Sequence, residues 1–382
     1  MTSQSALKIE ELPRQSVLNV RHRELGSTFN GMAWNDMPTP WDYRTDPNDE
    51  VIAVRTCAGL YDVSMLQMRR VSGPDALAVV DYLVSRDMTK IKPGVVALCN
   101  EVDDNGIVCD DISIFCDGEN RYRVVTGSGD TARHLARIAK GKNVVIEENR
   151  DTHILSLQGP KALAVLAPHT PFNLASLKYF THADTTLFGR KVNIGRLGYS
   201  GEQGYEIYCA AADAVFLWDA ILEHGRKAGV MPCSWASLDL IRVEAALAFY
   251  PYEMPGGATP WECGMGWAVS LDKKGDWQGK AAVLAARGKE RSKLAGIVCK
   301  HHQAVEPGAK LYKDGKEVGV VTSPSYSRYL MKSLALAQIK PQYTAPGTTL
   351  EVRGAQIACQ ALVEPIPFYD PMKIRLRPEN FK

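Results

Sequence analysis

The segment 198–208, which reads GYSGEQGYEIY, is the part of the chain whose residue types point most directly to ligand binding. Its glycines allow positive φ angles or a close approach of the backbone. Its last four residues alternate as a half-buried strand does, which sends Glu206 and Tyr208 to one face. A carboxylate beside aromatic rings suits a planar heterocycle with N–H donors along its edge. A plain glycine-rich β-hairpin with surface tyrosines has the same pattern.

Two adjacent carboxylates, Asp110 and Asp111, interrupt the apolar run 106–115. Neighbouring residues of a strand face opposite ways, so we expect one of the two to point toward a core or a cleft. An ionised carboxylate is costly there unless it meets a donor or a cation. A turn or a strand edge fits the same acid pair.

Three loops rich in aromatic residues, glycine and proline are candidates for lining a pocket, although covering a core is an equally common role. They span residues 32–43, 248–257 and 259–267. A helix predicted over 237–249 leads into the second loop and places Asp239 three residues from Arg242. Arg242 is therefore either half of a solvated ion pair or a site residue.

Composition narrows the class of protein. With 382 residues, 45% of them hydrophobic, the chain is long enough for two or three globular domains. Lys and Arg number 45 against 43 Asp and Glu, so no basic field predicts a nucleic-acid partner. The first residues lack the apolar core of a signal peptide, and no run reaches the about 18 apolar residues that span a bilayer. We expect a cytoplasmic protein with no membrane partner.

Cysteine, histidine and glycine patterns exclude several kinds of site. The nine cysteines contain no CxxC pair, which argues against a disulfide framework or a zinc ribbon. The eight histidines contain no HExxH, so no metal is predicted. GxxxxGK[ST] and GxGxxG loops are also missing from the sequence, so nucleotide phosphates are not the predicted ligand.

An internal repeat organises the chain. Residues 72–80 and 158–166 share the pattern xGPxALAVφ, in which a strand ends, a Gly-Pro turn follows and a helix begins. The pair predicts two similar α+β subdomains. Other helices are predicted over 132–140 and 212–228, and strands over 122–125 and 191–194.

The last quarter of the chain has a different character. We place a boundary at residue 288, which gives domains 1–288 and 289–382. Short strand-like runs broken by Gly-Lys and Pro-Gly turns predict a small antiparallel β-barrel in the second domain. These runs are 295–299, 310–311, 317–322, 334–339 and 350–352.

Six motifs in order carry a resemblance that covers residue 28 to the C-terminus. They are YDVS at 61–64, GIVCDD at 106–111, LQGP at 157–160, GYSGEQGYE at 198–206, LIRVE at 240–244 and GMGW at 264–267. This series resembles the folate-dependent family of the glycine-cleavage T protein, the aminomethyltransferase. That family also includes tetrahydrofolate-dependent demethylases and the C-terminal halves of sarcosine- and dimethylglycine-oxidising flavoproteins.

The resemblance implies a fold and a set of folate contacts. The implied fold is α+β, a cloverleaf of α+β subdomains around a central hole that binds tetrahydrofolate, plus a small C-terminal antiparallel β-barrel. Asp111 matches the acid near the reacting folate nitrogens and is the predicted catalytic residue. The predicted cofactor-binding residues are Tyr199, Glu206, Asp110, Arg242, Tyr250 and Arg375.

The substrate side departs from the T-protein pattern. Met65-Leu66 follows the DVS motif where T proteins have His-Met, Leu98 replaces an aromatic residue, and 249–257 differs from LYG followed by an acid. The iron–sulfur branch of the family is not expected, because Asp276 stands at its cysteine position. Trp34, Met37, Trp41 and Met65 are the predicted substrate wall.

These departures favour a tetrahydrofolate-dependent demethylase. It would move a one-carbon group from a small methylated substrate, a sulfonium, methylamine, betaine or aryl methyl ether, to N5 of the folate. The first alternative is the glycine-cleavage aminomethyltransferase, which would add a lipoyl carrier protein as a partner. The second alternative is a folate-binding regulatory or assembly protein without turnover.

Overall fold

The computed structural model describes residues 9–29, 32–127 and 130–381. Its α-helices are α1 (Asn19–Glu24), α2 (Pro47–Thr56), α3 (Ala76–Leu83), α4 (Thr131–Ile138), α5 (Ala162–Leu166), α6 (Ala211–Gly225), α7 (Trp235–Glu244) and α8 (Lys280–Ala286). Its β-strands are β1 (Ala33–Trp34), β2 (Met37–Pro38), β3 (Ala58–Asp62), β4 (Gln67–Ser72), β5 (Val96–Val102), β6 (Val108–Gly118), β7 (Arg121–Thr126), β8 (Val145–Glu148), β9 (Thr152–Gln158), β10 (His182–Leu187), β11 (Arg190–Gly195), β12 (Gly204–Ala210), β13 (Val230–Pro232), β14 (Lys293–Cys299), β15 (Lys310–Lys313), β16 (Lys316–Ser327), β17 (Lys332–Ile339), β18 (Thr349–Arg353) and β19 (Ala358–Glu364).

The chain divides into two compact units, each built from separate segments. Unit 1 contains the described residues of 1–67, 149–241 and 373–382, and unit 2 contains those of 68–148 and 242–372. The domain boundary at residue 288 stays a prediction. Among the described residues, no helix combines the length and the apolar character that crossing a membrane requires.

Unit 1 is built on a mixed sheet with the strand order β10-β11-β12-β9-β3-β13. Its neighbours are antiparallel except for β13, which runs parallel to β3. Trp218 and Ile221 of α6 belong to the same buried apolar cluster as Tyr205 and Ile207 of β12. The helix therefore covers one face of the strand that carries the glycine-rich motif.

Unit 2 contains a second sheet, with the order β5-β6-β7-β4-β8. Val79 and Leu83 of α3 and Leu135 of α4 pack into one buried cluster with Ile112 and Ile114 of β6. Alternate residues of β6 thus enter the core. This packing fixes the strand that carries the acid pair against α3 and α4.

The repeated pattern forms the same local structure twice. β4 ends at Ser72 and α3 follows the Gly-Pro turn, and β9 ends at Gln158 and α5 follows. Gly73 has φ 119° and Gly159 has φ 136°, a backbone region open to glycine. A Cβ at Gly159 would lie 2.6 Å from the Val54 carbonyl oxygen. The predicted strand, turn and helix are confirmed in both copies.

The predicted C-terminal barrel is confirmed. In unit 2 the strands β14-β17-β16-β15-β18-β19 close on themselves, and each neighbouring pair is antiparallel. The sequence analysis missed β19. Its inner side, Cys359, Ala361 and Val363, packs on the barrel core, whereas Ala358, Gln360 and Leu362 on the outer side are exposed.

The other predicted elements are present with shifted ends. Strands 122–125 and 191–194 lie within β7 and β11, and helices 132–140 and 212–228 correspond to α4 and to α6 with a 3₁₀ turn after it. The helix predicted over 237–249 is wrong beyond Glu244. Ala246 takes a left-handed φ of 52°, and the N–H of Phe249 bonds to the Glu253 carboxylate at 2.7 Å. This buried carboxylate takes an N–H that a continued helix would have used.

Candidate functional site

Strand β12 carries the first candidate cluster, in unit 1. It lies between β11 and β9, and Glu206 stands opposite Gly195 and Ser156. The predicted shared face of Glu206 and Tyr208 is confirmed, because the Tyr208 hydroxyl donates a hydrogen bond to Glu206 Oε2 at 2.6 Å. The expected half-burial is wrong: every residue from Gly204 to Cys209 is buried. As a central strand, β12 is covered on both faces.

Burial controls the proton affinity of Glu206. The residue is 8% exposed, and burial raises the pKa of its carboxyl to about 7, although the hydrogen bond from Tyr208 acts in the opposite direction. Within the described part of the chain, Tyr208 alone donates a hydrogen bond to this carboxylate. Glu206 therefore changes charge close to neutral pH and has acceptor capacity beyond the Tyr208 bond.

The glycines of the motif have an internal structural reason. A Cβ at Gly198 or Gly204 would collide with the side-chain amide of Gln158. That amide donates to Ser156 Oγ at 2.9 Å and accepts from Ser200 Oγ at 2.8 Å. The close approach predicted from the glycines is thus made by a neighbouring side chain, and it fixes the turn that leads into β12.

Tyr199 and Tyr179 are two further aromatic residues of unit 1 that could belong to this cluster. Tyr199, the predicted aromatic lining residue, is half-buried in the turn before β12. Tyr179 was not predicted, because no motif surrounds it. Burial raises the pKa of Tyr179 to about 12, and the charge of Glu206 adds to this rise. The guanidinium of Arg377 lies over its ring, 4.6 Å from the centroid.

The C-terminal segment of unit 1 is attached through arginine contacts. Arg375 donates to Glu202 Oε2 at 3.3 Å and to the carbonyl oxygen of Arg55. Arg196 binds Glu379 through both of its terminal nitrogens, at 3.0 and 2.7 Å. The Arg375 side chain keeps 38% of its surface exposed. Its guanidinium is thus held by Glu202 and Arg55, while part of the side chain remains accessible.

Strand β6 carries the second candidate cluster, in unit 2. Asp110 is 1% exposed and accepts hydrogen bonds from the N–H groups of Asp111 at 3.0 Å and Gly127 at 2.8 Å. Asp111 is half-buried. Burial, followed by the charges of Asp110 and Glu253, raises the pKa of Asp111 well above its usual value. The prediction that one of the two acids points inward is confirmed for Asp110.

Arg242 and Tyr250, also predicted site residues, flank this cluster in unit 2. Arg242 is 2% exposed, and it pairs with Glu253 Oε2 at 2.9 Å and donates to Ser323 Oγ at 2.8 Å. The interpretation of Arg242 as half of a solvated ion pair is therefore wrong. Tyr250 is half-buried, and burial together with the charges of Cys109 and Asp110 raises its pKa.

The predicted substrate residues of unit 1 differ in accessibility. Trp34 is half-buried and meets Trp235 edge-on, with ring centroids 5.0 Å apart. Trp41 is also half-buried, whereas Met37 is 4% exposed and Met65 is 0% exposed. Met65 has no accessible side-chain surface, so the structure does not support a substrate contact at this position. In the described residues, no group of three or more His, Cys, Asp or Glu could hold a metal ion.

A further buried network lies beneath the DVS motif in unit 1. Asp62 accepts from Ser16 Oγ at 3.0 Å and from the N–H of Ser64 at 2.9 Å, and it pairs with His22 Nε2 at 3.0 Å. His22 Nδ1 meets the Tyr43 hydroxyl at 2.8 Å. Although burial opposes ionisation, the contacts with His22 and Ser64 lower the pKa of Asp62 to about 2. The motif thus has a structural role that the sequence analysis did not assign.

A mixed sheet in unit 1, and a second sheet with a closed antiparallel barrel in unit 2, define an α+β class of protein with buried carboxylates on its central strands. Family models agree with this class: "GCVT N-terminal domain" matches residues 18–273, and "Glycine cleavage T-protein C-terminal barrel domain" matches 292–370. The chain belongs to the glycine-cleavage T-protein family. The predictions of this family, of the α+β fold with a barrel and of a transferase are confirmed.

Relatives cover almost the whole chain. It is 42% identical to the "Heme-dependent oxidative N-demethylase gamma subunit" of Ectopseudomonas mendocina, with 94% of this chain and 97% of that protein covered. It is 36% identical to the "Aminomethyltransferase" of Geobacillus kaustophilus, with 94% and 99% covered. Among solved structures, the glycine cleavage system aminomethyltransferase T of Bartonella henselae matches with a TM-score of 0.85 at 24% identity, over 94% of this chain and 98% of that one. The last match supports the fold alone.

Proposed function

We propose that this chain transfers a one-carbon group from a donor derived from an N-methyl amine to tetrahydrofolate. The observation that carries the proposal is the acid pair of β6. Asp111 is half-buried beside the fully buried Asp110, and its carboxyl tends to keep its proton because burial and two neighbouring negative charges raise its pKa. A positioned acid of this kind suits a reaction in which an amine departs.

The residues around Glu206 fit the pterin of a folate. A pterin edge presents N–H donors, and the buried Glu206 carboxylate, held by Tyr208 on one oxygen, has acceptor capacity for them. Tyr199 and Tyr179 supply aromatic surface for a planar ring. Arg375, with 38% of its side chain exposed, suits the carboxylates of the folate tail.

The acid cluster has a separate role. Tetrahydrofolate, when bound, would supply the two nitrogens, N5 and N10, that take the carbon. Its two N–H protons would balance the transfer, since the hydroxyl of an N-hydroxymethyl donor would leave as water and the amine, as its carbon–nitrogen bond breaks, would leave with a proton. Asp111 gives that proton and, as a carboxylate, then stabilises positive charge on the acceptor nitrogen. Asp110, held by two backbone N–H groups, keeps Asp111 in place and raises its proton affinity.

Two other predicted folate contacts take indirect roles in this proposal. Arg242 has almost no exposed surface, so its contribution is to hold Glu253 rather than to touch the folate. Tyr250 is half-buried and senses the charge of Asp110, which fits a wall residue on the side of the acid pair.

The donor is an amine rather than a sulfonium in this proposal. A sulfonium or a quaternary ammonium leaves as a neutral group and needs no acid, so a proton held at Asp111 would have no use. The 42% identical relative is by name the gamma subunit of an oxidative N-demethylase. Its name supports a donor that a partner subunit has oxidised, so that the carbon reaches this chain at the oxidation level of formaldehyde.

Aminomethyl transfer from a lipoyl-bound donor is the second candidate. Relatives named aminomethyltransferase, 36% identical over nearly the full chain, favour it. It also uses an acid for the departing amine. The departure from the T-protein pattern at Leu98 counts against it, because Leu98 is half-buried and belongs to the predicted substrate side.

A product assay separates the candidates. The protein is incubated with tetrahydrofolate and, in turn, an N-hydroxymethyl amine, an aminomethyl-loaded lipoyl carrier and a methyl sulfonium, and the folate product is read by mass. We expect methylenetetrahydrofolate from the first donor, above the uncatalysed rate. Ammonia from the second donor would establish the aminomethyltransferase, and 5-methyltetrahydrofolate from the third would establish transfer of an intact methyl group to N5.

The role of Asp111 is tested in the same assay. Asp111→Asn should lower turnover by roughly 10²–10⁴-fold while folate binding is largely kept. Asp104→Asn is the matched control, since it removes one carboxylate from an exposed loop of the same unit. An unchanged rate in Asp111→Asn would overturn the assigned role. Folate binding without product from any donor would identify a non-catalytic protein.

A further inference from the structure

The carboxylate assigned to the pterin has a built-in partner on its own strand. Tyr208 lies two residues after Glu206 on the same face of β12, and its hydroxyl donates to Oε2 at 2.6 Å. Both side chains are buried, at 4% and 8% exposure. A short hydrogen bond between two buried groups on one rigid central strand leaves the carboxylate one orientation.

Charged and titratable groups surround the Glu206–Tyr208 pair in unit 1, but among the described residues only Tyr208 donates a hydrogen bond to the carboxylate. The row of the sheet that contains Glu206 also contains Tyr61 on β3 and His182 on β10. The ring of Tyr179 lies near Glu206 beneath the Arg377 guanidinium, and Arg196, just after β11, is bound to Glu379. In the described residues, none of these side chains donates a hydrogen bond to Glu206.

We propose that Tyr208 is a positioning residue that orients the Glu206 carboxylate toward the folate and makes folate binding depend on pH near neutrality. The inference rests on the proposed function, in which Glu206 accepts the N–H groups of the pterin. Tyr208 does not need to touch the folate in this arrangement.

The direction of the pH dependence follows from the burial of Glu206. Its pKa lies at about 7, and the bond from Tyr208 lowers it toward that value from a higher one. A protonated Glu206 loses an acceptor for the pterin N–H groups, so folate affinity falls below pH 7 by roughly tenfold for each pH unit. Without the Tyr208 hydroxyl, the carboxylate forms only at higher pH, so the whole binding profile moves upward.

The test compares binding profiles of three full-length proteins. The probe is 5-formyltetrahydrofolate, titrated calorimetrically from about pH 5.5 to about pH 9. We expect Tyr208→Phe to move the midpoint upward by about one pH unit, which lowers affinity at neutral pH several-fold and restores it at high pH. Tyr205→Phe is the matched control: Tyr205 lies on the same strand, faces the apolar cluster, and its hydroxyl meets Leu174 O at 3.5 Å.

A second measurement does not depend on ligand. Carboxyl-labelled glutamate is followed by NMR across the same pH range, and the signal lost in Glu206→Gln identifies Glu206. Its midpoint should lie near neutral pH in the wild type and higher in Tyr208→Phe. A merely structural Tyr208 would lower stability without moving this midpoint.

The outcomes distinguish a failure of the inference about Tyr208 from a failure of the proposed function. Binding of the probe with the same pH profile in Tyr208→Phe and in the wild type overturns the inference and leaves the proposed function standing. Absence of binding at every pH overturns both. A Glu206 midpoint near the ordinary value for glutamate, about 4.3, also overturns the inference.

Discussion

Replacing Glu206 by glutamine should stabilise the folded protein above neutral pH while it weakens folate binding. The carboxyl is 8% exposed, and burial raises its pKa from 4.5 to about 7. Ionising this group inside unit 1 therefore costs free energy that an amide of the same shape does not. Glutamine can also accept the hydrogen bond from Tyr208.

The size of the effect follows from the two pKa values. In the unfolded chain the carboxyl ionises near its ordinary value, whereas in the folded chain it keeps its proton up to about pH 7. Between these values the folded state binds more protons, so the free energy of unfolding falls as pH rises. Each pKa unit corresponds to about 1.4 kcal/mol, so the loss in the wild type between about pH 5 and about pH 8 is roughly 2–3 kcal/mol. Glu206→Gln avoids this loss.

Urea unfolding at both pH values, followed by the fluorescence of buried tryptophans such as Trp218, measures the difference. The variant should be close to the wild type at about pH 5 and more stable by roughly 2–3 kcal/mol at about pH 8. Glu223→Gln, which removes an exposed carboxylate in α6 of the same unit, should show no such trend. The reasoning fails if Glu206→Gln is less stable at the higher pH, or if its difference from the wild type is the same at both.

Three further substitutions test packing and electrostatics through urea unfolding. Asp62→Asn should lower the free energy of unfolding by roughly 2–4 kcal/mol at neutral pH. The greater stability of the wild type should vanish as pH falls from about 4 to about 2, because the pKa of Asp62 is about 2 in the folded chain and higher in the unfolded chain. Arg242→Met should lower the free energy of unfolding by roughly 3–5 kcal/mol, because it leaves Glu253 buried without its ion-pair partner. Adding Glu253→Gln should recover part of this loss. Full stability in the single variant would contradict the buried pair. Gly159→Ala should lower the free energy of unfolding by more than about 2 kcal/mol. Gly189→Ala should lower it by about 1 kcal/mol, because its Cβ meets nothing within 4 Å. Equal losses would contradict the clash with Val54.

Local patterns made much of the fold predictable. The repeated strand, Gly-Pro turn and helix depends on residues within nine positions, so sequence alone contains it. Alternation likewise places Glu206 and Tyr208 on one face and sends one of Asp110 and Asp111 inward, because the period of a strand is two. The barrel follows from short strands separated by turn residues.

Features that depend on distant residues were not predictable. The end of α7 at Glu244 is linked to the buried Glu253 carboxylate, which binds both Arg242 and the N–H of Phe249. The helix propensities of residues 237–249 contain no information about Glu253, which lies outside this range. A helix extended to Phe249 was therefore the natural expectation, and tertiary contacts overrode it.

The candidate site shows the same division. Glu206, Asp110 and Asp111 lie in motifs, so the amino-acid sequence alone is enough to locate them. Tyr179 lies in no motif and reaches Glu206 only through the fold. The glycines of 198–208 suggest room for a ligand, whereas two of them make room for the Gln158 amide, whose position depends on the pairing of β9 with β12.

Single-turnover transfer of an isotope-labelled carbon tests the central proposal most directly. The protein, in excess over tetrahydrofolate, is mixed with an N-hydroxymethyl amine that contains the label, and the folate is analysed by NMR and mass. We expect the label to enter methylenetetrahydrofolate faster than without protein, and we expect Asp111→Asn to remove most of this acceleration while Asp104→Asn does not. Transfer at the uncatalysed rate in the wild type, with folate bound, would contradict the proposed function.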